Sequence, residues 1–574
     1  MAVNHASSKN VPPSGIHARL SDSDGNAVAD RLAWAHEHDV AERIWRRDYT
    51  LWGPEPNEIS DRLGWLTVAD HMRAQLGDLS SFVAEVRAEG YTHAVLLGMG
   101  GSSLAPEVLR QTFGSAEDHL ELRVLDSTHP DVVTAMGDLP LAQTLFIVSS
   151  KSGGTLETRS FYAYFRDKVD DGAHFIAITD PDTSLADLAA KDGFRRTFLA
   201  DPEIGGRYSA LSPFGMVPAA LIGVDLAGLL GKAEAAENES TSARPDANPG
   251  LWLGAAIGEL ALRGRDKLTF VVSEPVDSFG LWAEQLVAES TGKKGTGIIP
   301  VADEPLGGPD VYGEDRVFAY LRNRSAVNGE LDERLDALAD AGHPLITVEF
   351  SEPSDLGAQF FLWEFAVAVS GAVLQINAFD QPNVQEAKDL AAETIETYLS
   401  EGRWPEEDPD VVQRQIEVFG APDASSLDEA LRALVDKADP GRYFGIMAYV
   451  PPSSGADAAL MSMRNSVRDA RKSATTVGYG PRFLHSTGQL HKGGPGEGVF
   501  LQIESAGGEE VEIPHAGYGF DALLHAQAVG DLEALRARDL PVLRVHLSGD
   551  PVDGLATIAQ AVARITRPAE GLAV

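Results

Sequence analysis

The sequence predicts an α/β protein: two doubly wound parallel-sheet domains followed by a C-terminal α/β region. Three observations carry that expectation. Short β-rich runs alternate with helix-like segments from residue 91 to 200, and again from 267 to 350. Strands and helices at this spacing need right-handed crossovers, which build parallel sheets. The polar stretch "AAENESTSARPDANPG" (235–250) reads as a loop or linker between the two alternating units. Finally, 574 residues are too many for one small core, so two or three domains are expected.

In order along the chain, residues 1–75 are expected to form an N-terminal helical segment, 76–250 the first α/β domain, 251–402 the second, and 403–574 the C-terminal α/β region. In the first domain "HAVLLG", "ELRVLDS", "TLFIV", "HFIAIT" and "RRTFLA" are the strands, with helices such as "LAPEVLRQTF" and "RSFYAYFRDK" between them. In the second, "KLTFVVS", "GIIPVA", "RVFAYL" and "LITVEF" are strands, and two long helical stretches end near Ser400. After "EGRWPEEDPD", the runs "YFGIMAYV", "GVFLQI" and "VLRVHL" supply strands of the last region.

Composition excludes several function classes. There are 47 basic and 86 acidic side chains, a formal balance of −39, so the surface as a whole repels nucleic acid and anionic membrane. An anionic ligand must therefore meet a local nest of donors. With no cysteine there is no disulfide, thiolate metal site or cysteine nucleophile, which fits a reducing cytoplasm. The N-terminal "MAVNHASSKNVPPSG" has no apolar core and reads as no signal peptide. "AVAVSGAVLQINAF" is too short and interrupted to span a bilayer. "HEHD" (36–39) falls on an exposed helix without further ligands, so no metal site is expected.

The chemistry sits in the turns. "SSKSGGTLET" (149–158) lies where a strand passes into a helix. Free N–H groups and the positive dipole end at a helix start favour anions. Ser149, Ser150, Ser152 and Thr155 add hydroxyls, Lys151 adds charge, and Gly153 with Gly154 admits close backbone approach. A phosphate monoester uses that many donors better than a carboxylate. The companion turn "GMGGSS" has Gly98 and Gly100, but Ser103 stands where a dinucleotide fingerprint has its third glycine, and no stretch matches the Walker pattern. Two phosphate-type turns without a nucleotide motif point to a small phosphorylated metabolite.

Further polar clusters are bounded by glycine. "IGGRYSALSPFG" offers Arg207 to stabilise developing negative charge. "ESTGKKGTG" puts Glu289 at a helix end, where partial burial would raise its pKa toward general-base duty. "FDQPNVQEAK" supplies Gln381 and Lys388 at a helix start, with Pro382 suited to the first turn. "LHSTGQLHKGG" brings His485, Gln489, His491 and Lys492 into a glycine-rich loop.

Taken together, these motifs resemble the glucose-6-phosphate isomerase family of the sugar-isomerase-domain superfamily. "GMGGSSLAP", "SSKSGGTLET", "GGRYSALSPFG", "AESTGKKGTG", "FDQPNVQEAK" and "LHSTGQ" are similar to its phosphate turns and its arginine, glutamate, lysine and histidine segments, over residues 95 to 494. The likeness is greatest to the isomerase half of fused transaldolase–isomerase proteins, here without a transaldolase half. The resemblance implies two sugar-isomerase domains, no cofactor, and a homodimer, and leaves open whether a separate transaldolase is a partner. It assigns Ser102, Ser150, Lys151, Ser152 and Thr155 to the sugar phosphate, Glu289 to proton transfer between C1 and C2, and Arg207 to the cis-enediolate. It gives ring opening to His485 and Lys388, and hydroxyl contacts to Gln285 and Gln381.

Two departures matter. Asn383 and Gln385 stand where the family has a small residue and a glutamate, implying altered contacts around Lys388. The histidine segment also follows the lysine signature, whereas in common members it precedes it and comes from the neighbouring subunit. The expectation is therefore a cytoplasmic hexose-phosphate isomerase whose third region returns the His485 loop to the phosphate turns, in cis or in trans. A sugar-phosphate sensor that binds without turnover and an isomerase of mannose 6-phosphate or an amino-sugar phosphate are the other readings.

Overall fold

The computed structural model of the chain describes residues 11–404 and 407–567. The first ten residues of the polar N-terminal stretch, the pair 405–406 and residues 568–574 lie outside the described residues.

The N-terminal segment differs from the helical expectation at both ends. It opens on a strand, β1 (Ile16–Arg19), before the helix Asp22–Glu37. Alternation in "IHAR" buries Ile16 while His17 and Arg19 stay exposed, which is the pattern of a one-sided edge strand. The boundary expected at 75/76 falls inside one helix, Val68–Ala88, whose Met72, Leu79, Phe82, Val83 and Val86 share a buried face and cannot be divided between two cores.

The first sheet contains β2 (His93–Leu97), β3 (Glu121–Leu125), β4 (Thr144–Ser149), β5 (Phe175–Thr179) and β6 (Arg196–Leu199). Its order is β3-β2-β4-β5-β6 and every pair is parallel. β4 and β5 are buried throughout, as a sheet covered by helices on both faces requires. The chain turns to one side after β2 and to the other after β3, so β2 and β4 flank the switch point where such sheets bind ligands. Both phosphate-type turns leave the carboxyl ends of these two strands.

The second sheet contains β7 (Lys267–Val272), β8 (Ile299–Val301), β9 (Arg316–Asn323) and β10 (Leu345–Phe350) in the order β1-β10-β9-β7-β8. Only β1 runs antiparallel. A third sheet joins β11 (Val411–Gln413), β12 (Ile416–Phe419), β13 (Tyr443–Tyr449), β14 (Ala474–Tyr479), β15 (Gly498–Ser505) and β16 (Val542–Leu547). Its order is β11-β12-β16-β15-β13-β14, with β13 to β16 parallel and β11–β12 an antiparallel margin.

Two stretches read differently in three dimensions. The first six residues of "AAENESTSARPDANPG" end the helix Leu226–Ser240, because Leu226, Leu229, Leu230 and Ala233 give it a buried stripe beneath the polar side chains. Asn248 caps the next helix, Pro249–Leu262, by accepting from the Leu251 N–H. "AVAVSGAVLQINAF" continues the helix Leu356–Val373, of which every residue but Ala358 is buried. With its short 3₁₀ start this helix has the length and composition to cross a membrane, yet 94% of its apolar window is buried inside the protein. It is the axis of the largest apolar cluster.

Candidate functional site

The anion turn is built by the β4-to-helix transition. Thr155 is the N-cap of the helix Leu156–Lys168 but makes no side-chain cap bond, so its hydroxyl is free to pair with Ser150 Oγ at 2.9 Å. Ser150 is 2% exposed and braces the turn from behind, whereas Ser152 is exposed and accepts from the Gly154 N–H at 3.3 Å. Gly153 has φ +68°, and a Cβ there would lie 2.8 Å from the Leu185 nitrogen. Lys151 pairs with the Asp180 carboxylate and donates to the Pro202 carbonyl at 3.1 Å. Ser102 closes the neighbouring 3₁₀ turn Gly100–Ser102.

Glu289 lies near the end of the helix Phe279–Thr291 and is 6% exposed. Burial pushes its carboxyl above the usual range, and Arg207 partly offsets this. Arg207, on the 3₁₀ turn Gly206–Tyr208, approaches Glu289 Oε2 at 3.3 Å. It donates Nε to Ser290 Oγ at 2.8 Å and Nη1 to Gln381 Oε1 at 2.7 Å. Nη2 donates to the Ala378 and Asp380 carbonyls at 2.8 and 3.0 Å. The guanidinium is thus fixed by its full fork, pre-aimed at the carboxylate. Lys293, fully buried, donates to Asp380 Oδ1 at 2.7 Å and clamps the same turn.

The third unit supplies the remaining wall. The turn Arg482–His485 follows β14 and returns to the other two units, where the His485 carbonyl accepts from Gln285 Nε2, on the helix Phe279–Thr291, at 2.8 Å. Close approach needs glycine: Gly100 has φ +55°, and a Cβ on it would lie 2.7 Å from that carbonyl oxygen. His485 Nε2 lies 2.8 Å from Glu157 Oε1. Burial alone would raise the Glu157 carboxyl, but the histidine charge and hydrogen bond outweigh it and hold it at about 2. Lys388, exposed on the helix Val384–Glu401, adds its charge to the same carboxylate.

The departures from the family pattern have local partners. Gln489 donates to Asn383 Oδ1 and accepts from the Asn383 N–H, both at 2.9 Å, and donates to the Gly292 carbonyl at 2.9 Å. Gln489, in the histidine segment, thereby ties Asn383 at the start of the lysine helix to the end of the glutamate helix. Gln385 donates to Asp389 within its own helix at 2.7 Å.

These segments enclose a cavity of about 390 Å³. Ser102, Lys151, Ser152 and Thr155 line it, and so do Gln285, Glu289, Gln381, Lys388 and His485. Arg207 stands behind Glu289 and Ser150 behind Thr155, so the expected residues converge on one place in a single chain. His491 does not join them: it sits among Tyr443, Phe483 and Phe500, and burial lowers its pKa to about 3. Lys492 is buried against Asp531 at 2.5 Å.

Sequence reasoning missed Glu157, Arg62 and Glu58. Glu157 stands in the quoted "TLET", where its only visible signal is an acidic residue in a helix's first turn. Its partner is 328 residues away. Arg62 and Glu58, from the N-terminal segment, line the cavity with no motif around them.

Comparison with known proteins adds an independent line. The family described as Phosphoglucose isomerase matches residues 64–315. A glucose-6-phosphate isomerase of Geotalea daltonii is 30% identical over 397 residues, 61% of this chain and 74% of that protein. One of Rubrobacter xylanophilus is 29% identical over 423 residues, covering 62% and 95% of the two chains. Among solved structures, a glucose-6-phosphate isomerase from Chlamydia trachomatis aligns with TM-score 0.57 at 20% identity, over 68% of this chain and 90% of that one, a likeness of fold.

Proposed function

The chain belongs to the phosphoglucose isomerase family, and from that premise we propose that it interconverts glucose 6-phosphate and fructose 6-phosphate through a cis-enediolate. The observation that carries the reading is a buried carboxylate, Glu289, paired with Arg207 in the wall of the cavity that also holds the donor-rich anion turn.

The steps follow from the groups present. Ser102, Ser152 and Thr155 receive the phosphate, with Ser150 bracing Thr155 and Lys151 supplying charge. His485 and Lys388 exchange the protons that open the pyranose, while Gln285 and Gln381 hold hydroxyls. Glu289 removes the C2 proton of the open aldose and returns it to C1. Its raised pKa makes it a stronger base than an exposed glutamate, and Arg207 offsets the charge that develops on the enediolate oxygens. The reaction moves hydrogen within one molecule, so electrons balance without a redox cofactor. A sensor would need the anion turn but neither Glu289 nor Arg207. We place the reaction in the cytoplasm, where its phosphorylated substrate is held.

A coupled assay of the purified protein with glucose, mannose and glucosamine 6-phosphates tests this. Turnover of glucose 6-phosphate in the ordinary enzyme range of ~1–10³ s⁻¹ is expected. Binding of all three without turnover would favour the sensor, and preference for mannose 6-phosphate would reassign the substrate.

A further inference from the structure

The His485–Glu157 pair has a third member. Glu157 Oε1, the oxygen that meets His485, also accepts from Gln527 Nε2 at 2.6 Å. Gln527 is 5% exposed on the helix Phe520–Arg536 of the third unit, and its own Oε1 accepts from the Thr128 hydroxyl at 2.8 Å. The loop carrying Thr128 follows β3, so the chain of bonds runs from the first sheet through the third unit and back to the anion-turn helix.

The proton directions are forced. An ionised carboxylate only accepts, so Gln527 turns its NH₂ to Glu157, its carbonyl faces Thr128, and Thr128 donates. By the same rule a neutral His485 ring, the form able to take a proton from the sugar, carries its own proton on Nε2. Nδ1, which makes no hydrogen bond among the described residues, is the nitrogen left for the ligand. Two donors on one oxygen also fix which carboxylate oxygen faces the imidazole. Without Gln527 the carboxylate keeps His485 and its own backbone N–H but loses the side-chain donor that fixes its rotation about the last bond, and the ring would follow.

We propose that Gln527 is a positioning residue for ring opening: it locks the Glu157 carboxylate so that His485 keeps its Nε2–H tautomer and presents Nδ1 to the sugar. This rests on the isomerase reading. The third unit then contributes the histidine and, on a separate helix, the group that orients it.

Two variants test it: Gln527→Leu removes the donor at similar size, and Thr128→Val removes the bond that orients the amide. The downfield proton resonance of His485 Nε2–H, assigned by its loss in His485→Gln, is read without substrate. Turnover of cyclic glucose 6-phosphate is compared with solvent exchange on 5-deoxyfructose 6-phosphate, which lacks the hydroxyl that closes the pyranose. In Gln527→Leu the resonance should move and kcat on the cyclic sugar should fall about tenfold, the scale of one hydrogen bond to a charged group. KM and open-chain exchange should hold. Thr128→Val should move the same quantities less, and it carries the test if Gln527→Leu fails to fold. An unmoved resonance, or equal losses on both substrates, overturns the assignment to Gln527 alone. A parent protein inactive on every hexose phosphate overturns the ring-opening role together with the isomerase reading.

Discussion

At the scale of single residues, burial sets the chemistry. Glu289 is pushed up by burial, and its place near a helix C-terminus also disfavours negative charge. A base must be deprotonated, so the acid limb of turnover should lie above the ordinary glutamate value of ~4.3. Glu289→Gln keeps the shape and should lower kcat by ~10²–10⁴ while substrate binding survives. Isotope exchange of the C2 proton checks this, and exchange retained in the variant would remove Glu289 from the role. Lys293 gives a second test. Burial, then Arg207, pull its ammonium down to about 7 although Asp380 holds it up. In the unfolded chain a lysine keeps its proton to ~10.4. Between those values the unfolded state binds more protons, so this group's contribution makes stability rise with pH, and its penalty is full below 7. Urea unfolding at pH 6, 8 and 9.5 should therefore show a flatter profile for Lys293→Met than for the parent. Parallel profiles would contradict it. None of this was visible in "ESTGKKGTG", where Lys293 and Lys294 look alike; only packing buries the first.

At the scale of elements, the turns at the switch point were the most legible part of the site. Strand, polar turn and helix follow one another within a few residues, so local sequence carries the whole device. Thr155→Ala with Lys151→Ala should raise KM for the sugar phosphate by ~10²-fold, taking each donor to a charged group as worth ~1.5 kcal/mol. Because Thr155 also pairs with Ser150 and Lys151 with Asp180, Tm should fall as well, so binding is read at a temperature where the variant is fully folded. An unchanged KM would move the phosphate elsewhere. What local sequence did not reveal is how tightly the turns touch. A Cβ on Gly101 would lie 2.0 Å from the Gly206 carbonyl oxygen, backbone that cannot swing aside. Gly101→Ala should therefore cost ~1–3 kcal/mol. It should also lower kcat by displacing Arg207, read from thermal unfolding beside steady-state kinetics. A variant with parental Tm and kcat would show that the two turns part freely. The linker reading failed over residues 235–240 for the opposite reason, since polar surface residues hid the buried stripe of the helix Leu226–Ser240, and held for the connection 241–248.

At the scale of the whole molecule, the third unit completes the cavity. Chain order leaves open whether His485 arrives in cis or from a neighbouring subunit; here it lines the cavity of its own chain, held by Gln285 and Glu157. A homodimer remains our proposal for the assembly, and with His485 supplied in cis we propose that turnover does not require it. Specific activity should stay constant on dilution through any dimer dissociation, followed by light scattering and by initial rates on the same samples. A fall that tracks the dimer fraction would restore delivery in trans. The formal charge of −39 does not oppose an anionic substrate at close range, because solvent-exposed charges beyond ~8 Å are largely screened at physiological salt while the cavity presents Arg62, Lys151 and Lys388.

The sequence by itself determined the alternating α/β class, which runs of the central region are strands, the anion turns, and the residue types that isomerisation needs. These are properties of periodicity, turn chemistry and short motifs, each complete within about ten residues. Only the tertiary structure decided that β1 edges the second sheet, that Glu157 and Gln527 stand behind His485, that Asn383 locks onto Gln489, and that His491 lies in an aromatic cluster away from the cavity. Most of those pairings join residues far apart in the chain; the His491 cluster is closed by Tyr443 from a separate strand. Burial and charge arise from that juxtaposition, and no local pattern encodes which distant side chain will close the contact.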